Sequence, residues 1–258
     1  MKPNSKIVKK VLWKRSQRHR DAWERKYNIL IRNVLNKQFK DLSYRIESIN
    51  YMDEGVVSKV FDSKPMEKMM VNLYTSVGLA FAKEQFESLK AESQAMMLKG
   101  GEPIDEWVTS MRDYVKNKVW KRLEGIRQGS INQANKTIRR VLDQSIEEGL
   151  GAIETASKIR MELIGDGVFI HKWRALRIAR TEIVTASNVG TIEAARTLEA
   201  ELGIPLEKYW IATYDEKTRD THAVMEAQNP KDLDEDFQVG DYMMDFPGDP
   251  DGGPEETV

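Results

Sequence analysis

Three short clusters in this chain combine residue types that do chemistry. Ala179-Arg180-Thr181-Glu182 sets a guanidinium, a hydroxyl and a carboxylate side by side. Trp210 is followed five positions on by Asp215. Thr218-Arg219-Asp220 comes just before His222. Arg180 and Arg219 each present a planar fork that can grip a carboxylate through two parallel hydrogen bonds. Glu182, Asp215 and Asp220 are carboxylates of the right kind. Asp215 and Arg219 are four apart, a spacing that pairs opposite charges where the turn runs on into helix. His222 follows Arg219 by three, so a helix would project both to nearly one side.

Two kinds of chemistry fit these residues. In a catalytic reading His222 is the base or a metal ligand, Asp215 or Glu182 is its carboxylate partner, and an arginine stabilises charge. The simplest such enzyme is a metal-dependent nuclease or hydrolase centred on Asp215, His222 and Glu182. One histidine among scattered carboxylates is much less specific than a His-Glu-x-x-His helix or a full zinc set. The other reading is a buried polar network that clamps a helix to a strand–turn–helix unit. The sequence favours it, and no catalytic residue, metal ligand or cofactor is expected. The chain has no cysteine, which excludes thiol catalysis, disulfides and cysteine–zinc sites. Asp249-x-Asp251-Gly252 has calcium-loop spacing, but Pro247 fills the first ligand position and Val258 the closing one. Phosphate-loop, dinucleotide and nucleophile-elbow motifs are missing. Glu199-x-Glu201 has the spacing of the acidic pair of ADP-ribosyl transferases, but it falls on a predicted helix without the matching upstream elements.

The elements that must position these residues are mostly helices. Met66, Met70, Leu73, Val77 and Phe81 recur at spacings of four and three behind Pro65 and line one helix face. After Gly100-Gly101 and Pro103 a second helix is predicted from Ile104 to about Gly125. A third is marked by Ile131, Ala134, Ile138, Val141 or Leu142, and Ile146, and stops at Gly149. A short helix over 154–164 should end at Gly165-Asp166-Gly167. A long one follows from about Lys172 to Leu202, stopped by Gly203 and Pro205. Its seam of Leu176, Ala179, Ile183, Ala186, Gly190 and Ala194 is mostly small, so another backbone can come close. Its second stripe, Arg177, Thr181, Thr185 and Asn188, is polar and must find matching donors and acceptors if buried. Residues 209–214 (YWIATY) read as a strand. A short helix from Arg219 to about Gln228 is then expected, with loops and one hairpin around 237–239 and 242–246.

Net charge is −1 over 258 residues, yet the two ends oppose each other. Residues 1–26 hold ten Lys or Arg against Asp21 and Glu24, and residues 232–258 hold ten Asp or Glu with no Lys or Arg. In the basic arm, Lys9, Lys10, Lys14, Arg15, Arg18 and Arg20 interleave with Trp13 and Trp23. Such a segment suits salt-sensitive phosphate contacts with double-stranded DNA or docking on an acidic protein, with tryptophans as anchors. No segment reaches the roughly 20 apolar residues of a membrane helix, and no membrane role is expected. The opening MKPNSKIVKK lacks the apolar stretch of a signal peptide.

The run Arg174-Ala175-Leu176-Arg177-Ile178-Ala179-Arg180-Thr181-Glu182, with Ala186, Asn188 and Gly190, resembles the Mu F-like head morphogenesis proteins of tailed bacteriophages. Trp210, Asp215, Thr218-Arg219-Asp220, His222 and Gln228 continue the likeness, as does Glu148-Gly149 near the end of the preceding helix. It covers roughly residues 130–258. The resemblance implies a minor capsid protein that associates with the portal protein and assists procapsid assembly, DNA packaging or ejection. It implies residence in the phage head, with host cytoplasm as the place of assembly. It implies no catalytic role for Arg177, Arg180, Thr181, Glu182, Asn188, Trp210, Asp215, Arg219, Asp220 and His222, which become the structural network of the domain. Two departures stand out. The family commonly has Asp-Gly-Gln where this chain has Glu226-Ala227-Gln228, and an Asn-Cys-Arg-Cys segment about where this sequence stops at Val258.

The expected architecture is mainly α. A helical region over 1–128, with its basic arm at 1–26, precedes a small α+β domain over 129–258 with an acidic tail. A phage head protein docking on the portal is the favoured function. The metal-dependent nuclease or hydrolase and a plain DNA-binding accessory protein are the alternatives.

Overall fold

The computed structural model describes residues 6–48, 54–92, 102–212 and 220–252. Helices dominate. α1 runs over Lys6–Ser48, α2 over Glu54–Val60 and α3 over Lys64–Glu92. α4 (Ile104–Tyr114) passes through a π-helical turn, Val115–Val119, straight into α5 (Trp120–Glu147). α6 then covers Ala152–Leu202. The remainder is a small α+β region: β1 (Glu207–Lys208), α7 (Asp220–Ala223) with a 3-10 turn to Gln228, β2 (Lys231–Asp232), β3 (Phe237–Val239) and β4 (Tyr242–Met244). The fold class is thus the one expected, long helices followed by a small α+β part.

Three element boundaries differ from expectation. The helix predicted to stop near Gly125 continues without a break to Glu147. Trp107, Met111, Val115 and Val119 are all buried and lie four apart. Four residues overshoot one α-helical turn by about 40°, so this row would drift off its face. The wider π turn at Val115–Val119 takes up the drift. The predicted break at Gly165-Asp166-Gly167 is likewise absent, and 154–164 and 172–202 belong to one helix. Buried Ile159 and Leu163 before the glycines and Ala175 and Ile178 after them keep helical spacing. Burying such a face outweighs the cost of about 1 kcal/mol per glycine. Helices do end at Gly149 (φ 67°) and Gly203 (φ 63°), in the left-handed region that only glycine enters easily. The third difference is the strand over 209–214. Tyr209–Ala212 carries no strand pairing and 213–214 lies outside the described residues.

The chain divides into two compact units that interleave in sequence. The first comprises Met1–Arg25, Met70–Val119 and Arg180–Val258, and the second Lys26–Met69 and Trp120–Ala179. In the second unit, Phe39, Leu42 and Ile46 of α1 pack with Val57, Phe61, the α5 row Ile131, Ala134, Ile138 and Val141, and Ile159 and Leu163 of α6. Arg174 there donates from Nη1 to Ser130 Oγ (3.0 Å). Desolvation lowers its pKa, with Arg177 adding repulsion.

In the first unit α3 crosses α6. The small seam allows this. A Cβ added to Gly190 would sit 2.0 Å from Gly78 O, so the two backbones touch where only glycine fits. Leu73, Tyr74, Val77 and Phe81 of α3, and Ile183, Ala186 and Ala194 of α6, are buried. A smaller core gathers Trp210, Met225, Phe237, Val239 and Met244 beneath the β3–β4 hairpin. That hairpin pairs Val239 with Tyr242 across a two-residue turn, with Gly240 at φ 58°.

Candidate functional site

The polar stripe of α6 finds its partners on two sides. Glu182 is 2% exposed, and its Oε2 accepts the Tyr74 hydroxyl of α3 at 2.7 Å. Thr185 Oγ1 donates to Gly248 O at 2.7 Å, and Asn188 Nδ2 donates to Pro247 O at 2.8 Å. Arg20 of α1 completes the set, donating from Nε to Ser187 Oγ (2.8 Å) and from Nη2 to Asn188 Oδ1 (3.0 Å). Its guanidinium also lies 5.8 Å from the Phe81 ring centroid. Burial lowers the Arg20 pKa to about 10, which leaves it charged at neutral pH. Asn188 therefore links α1 to the carboxy-terminal loop across α6.

That loop is held by its own carboxylate. Asp249 is 7% exposed; its Oδ2 accepts Asp245 N–H (2.8 Å) and its Oδ1 accepts Asp251 N–H (3.1 Å). Burial raises the Asp249 pKa, and the two backbone donors pull the other way. Gly248 takes φ 85°, and a Cβ there would meet Thr185 Oγ1 at 2.9 Å. Lys118 reaches Asp251, which raises the lysine's pKa, and Lys208 reaches Asp245. The acids that spacing suggested for calcium thus order a turn, and Pro247 and Gly248 give their carbonyls to the helix.

Trp210 centres the second part of the site. It is 1% exposed, edge-on to His222 (5.5 Å between centroids) and to Phe237 (5.3 Å). Asn229 pairs with both sides of its backbone, Oδ1 accepting Trp210 N–H (2.6 Å) and Nδ2 donating to Trp210 O (2.9 Å). Gln228 does the same to β3, accepting Gln238 N–H (3.0 Å) and donating to Gln238 O (2.8 Å). Two neighbouring amides act as surrogate strands. For Trp210 that amide is Asn229, and Tyr209–Ala212 belongs to no sheet.

The remaining predicted residues fall elsewhere. Arg180 is exposed and donates from Nε to Glu24 Oε1 of α1 at 3.0 Å. Arg177 is exposed, Thr181 half-buried, with its carbonyl accepting Thr185, and Asp220 exposed. Asp215 and Arg219 lie outside the described residues, as do the side chains of Lys9 and Lys10. Within the basic arm, Arg15 Nη2 and His19 Nδ1 both contact Glu84 of α3, at 2.8 and 2.9 Å. Arg20 faces inward rather than towards a ligand, leaving Lys14 and Arg18 exposed. Tyr74, Asn229 and the Pro247-Gly248 carbonyls complete the network and went unassigned in the sequence, and Gln228, named there only for the resemblance, joins them. Pro-Gly-Asp at 247–249 was the available turn signal. Glu199 accepts Leu206 N–H at 3.0 Å and serves the end of α6. Among the described residues, no group of three His, Cys, Asp or Glu could hold a metal ion, and no helix is long and apolar enough to cross a membrane.

A long helix whose polar stripe is closed by a carboxy-terminal turn, beside a tryptophan whose backbone is bonded on both sides by the Asn229 amide, defines a fold of mainly α class. Residues 136–249 match the family described as phage Mu protein F like protein. The chain is also similar to the NAD(+)--arginine ADP-ribosyltransferase EFV of Enterococcus faecalis (strain ATCC 700802 / V583), 41% identical over 74 residues. Those residues are 29% of this chain and 15% of that protein, so the chain spans only a small part of its relative. No solved structure matches.

Proposed function

We propose that this chain is a head morphogenesis protein of a tailed bacteriophage, which associates with the portal and assists procapsid assembly, DNA packaging or ejection. The observation that carries this reading is the family match over residues 136–249. The geometry is in keeping with it. Glu182, Thr185 and Asn188 spend their polar groups on Tyr74, Gly248 and Pro247. Groups engaged in this way position helices and loops rather than a substrate. The protein then acts as a non-enzymatic structural component of the virion. Contact with packaged DNA would fall to the exposed Lys14 and Arg18 of α1.

The test is gradient co-sedimentation of the full chain with its cognate portal ring at low and high salt. Co-migration that persists at high salt supports the reading. No co-migration in either condition overturns it. Divalent-metal-dependent cleavage of DNA, lost in His222→Ala while the fold is retained, would put the nuclease alternative in its place.

A further inference from the structure

One face of α1 in the second unit is left open. Lys26, Leu30, Asn33, Lys37, Lys40 and Tyr44 recur at spacings of four and three, and all are exposed. Together they run along about 27 Å of helix. Lys40 Nζ lies 5.8 Å from the centroid of the Tyr44 ring, and the Arg160 guanidinium of α6 lies 5.4 Å from the same centroid. Tyr44 is 49% exposed, Leu30 37% and Ile29 50%. Over 26–45 the acidic residue is Asp41. The face therefore combines cations with apolar surface, which suits an anionic partner that also excludes water. The unit as a whole holds 19 Lys and Arg against 13 Asp and Glu.

The first unit has the opposite balance, 21 against 28. Its small sheet sets Glu207 directly across from Asp232. Like charges placed opposite in this way destabilise a sheet. The turn after β2 adds exposed Asp234, Glu235 and Asp236 and is pinned by buried Leu233. Arg196 reaches Asp234 at 3.4 Å, but that side chain remains 91% exposed. A cationic surface brought against this turn would relieve the repulsion.

We propose that the acidic turn 232–236 of one copy docks on the α1 stripe of a second copy of this chain. Both surfaces are present on every copy, so the contact either occurs twice about a two-fold axis, closing a dimer, or repeats head to tail into a ring or an open chain. The chain's net charge of −1 leaves little long-range repulsion between copies. This inference is independent of the head-protein reading, because self-association needs no portal.

Sedimentation velocity of the full chain over a range of concentrations tests it. Oligomers are expected in low salt, with affinity falling at least about tenfold when the salt is raised to screen exposed charge. The doubly substituted K37E/K40E chain should be monomeric, and so should D234K/E235K. An equimolar mixture of the two should associate again, because each then offers what the other lacks. Zero-length carboxyl-to-amine cross-linking of isotopically light and heavy wild-type chains gives a second readout that needs no variant. Mixed-isotope links joining Lys37 or Lys40 to Asp234 or Glu235 are expected. A wild-type chain that stays monomeric in low salt overturns the proposal, whichever other partner then binds the stripe. Oligomers indifferent to both charge reversals, or an absence of mixed-isotope links at these residues, also overturn it.

Discussion

Glu182 has the residue type of a catalytic carboxylate, but its burial and its bond to Tyr74 make it a structural acceptor. Glu182→Gln keeps an oxygen for the hydroxyl and should cost well under 1 kcal/mol more than a surface change, while Glu182→Ala removes the acceptor of this buried bond and should cost about 2–3 kcal/mol. Urea unfolding of the pair measures the difference, and equal losses would contradict the assignment. Asp249 makes a pH-dependent prediction. Burial raises its folded pKa above the ordinary 3.8. The folded state therefore binds this proton more readily than the unfolded chain, and stability from this group is greatest below 3.8 and lost as pH rises through the folded pKa. Asp249→Asn removes the titration and also one acceptor. The wild type should thus gain stability relative to Asp249→Asn as pH is lowered from 7 towards 4. Parallel pH profiles of the two chains would contradict the burial argument.

At the scale of elements, the α3–α6 crossing depends on two glycines that differ in what surrounds them. A Cβ at Gly190 would run into the backbone of Gly78, whereas one at Gly78 would mainly meet the flexible Met111 side chain, at 2.7 Å from Sδ. Gly190→Ala should cost about 3 kcal/mol and Gly78→Ala closer to 1–2 kcal/mol, read from denaturant midpoints at unchanged slope. The seam that permits this crossing was legible in the sequence, because small residues repeat at helical spacing from Ala179 to Ala194. The helix stops at Gly149 and Gly203 and the β3–β4 hairpin were legible for equally local reasons. The joined helices were not. Gly165 and Gly167 look like punctuation in isolation, and only the buried rows on either side keep the helix continuous. The partners of the α6 stripe were hidden for a related reason. Thr185 and Asn188 bond to backbone carbonyls some sixty positions away, at Gly248 and Pro247, and a carbonyl has no residue type to read. The Trp210 strand was misread because Asn229 supplies hydrogen bonds that alternation normally assigns to a neighbouring strand.

At the scale of the molecule, the basic amino end is not a detachable arm. Its described residues up to Arg25 belong to the first compact unit. His19 stacks on Phe81 at 4.7 Å between centroids while bonding Glu84, and Arg20 reaches into the α6 network. Removing this stretch would leave Glu84 without its contacts to Arg15 and His19, and Asn188 and Ser187 without the Arg20 donor. A loss of DNA or portal binding in such a truncation would therefore report misfolding as readily as the removal of a binding group. Lys14 and Arg18 are exposed, and neutralising them removes charge without touching the network. Deletion of residues 1–25 should lower the stability of the first unit by about 3 kcal/mol or more, since a buried charged donor and its packing go together. The double variant K14Q/R18Q should unfold within about 0.5 kcal/mol of wild type. If the exposed cations bind phosphate, K14Q/R18Q should also flatten the slope of log affinity against log salt by roughly two units, one for each cation neutralised. Measuring unfolding and DNA affinity on the same two chains separates the structural role of this segment from its charge. Equal stability of the deletion and the wild type would show that α1 adds nothing to the fold before residue 26.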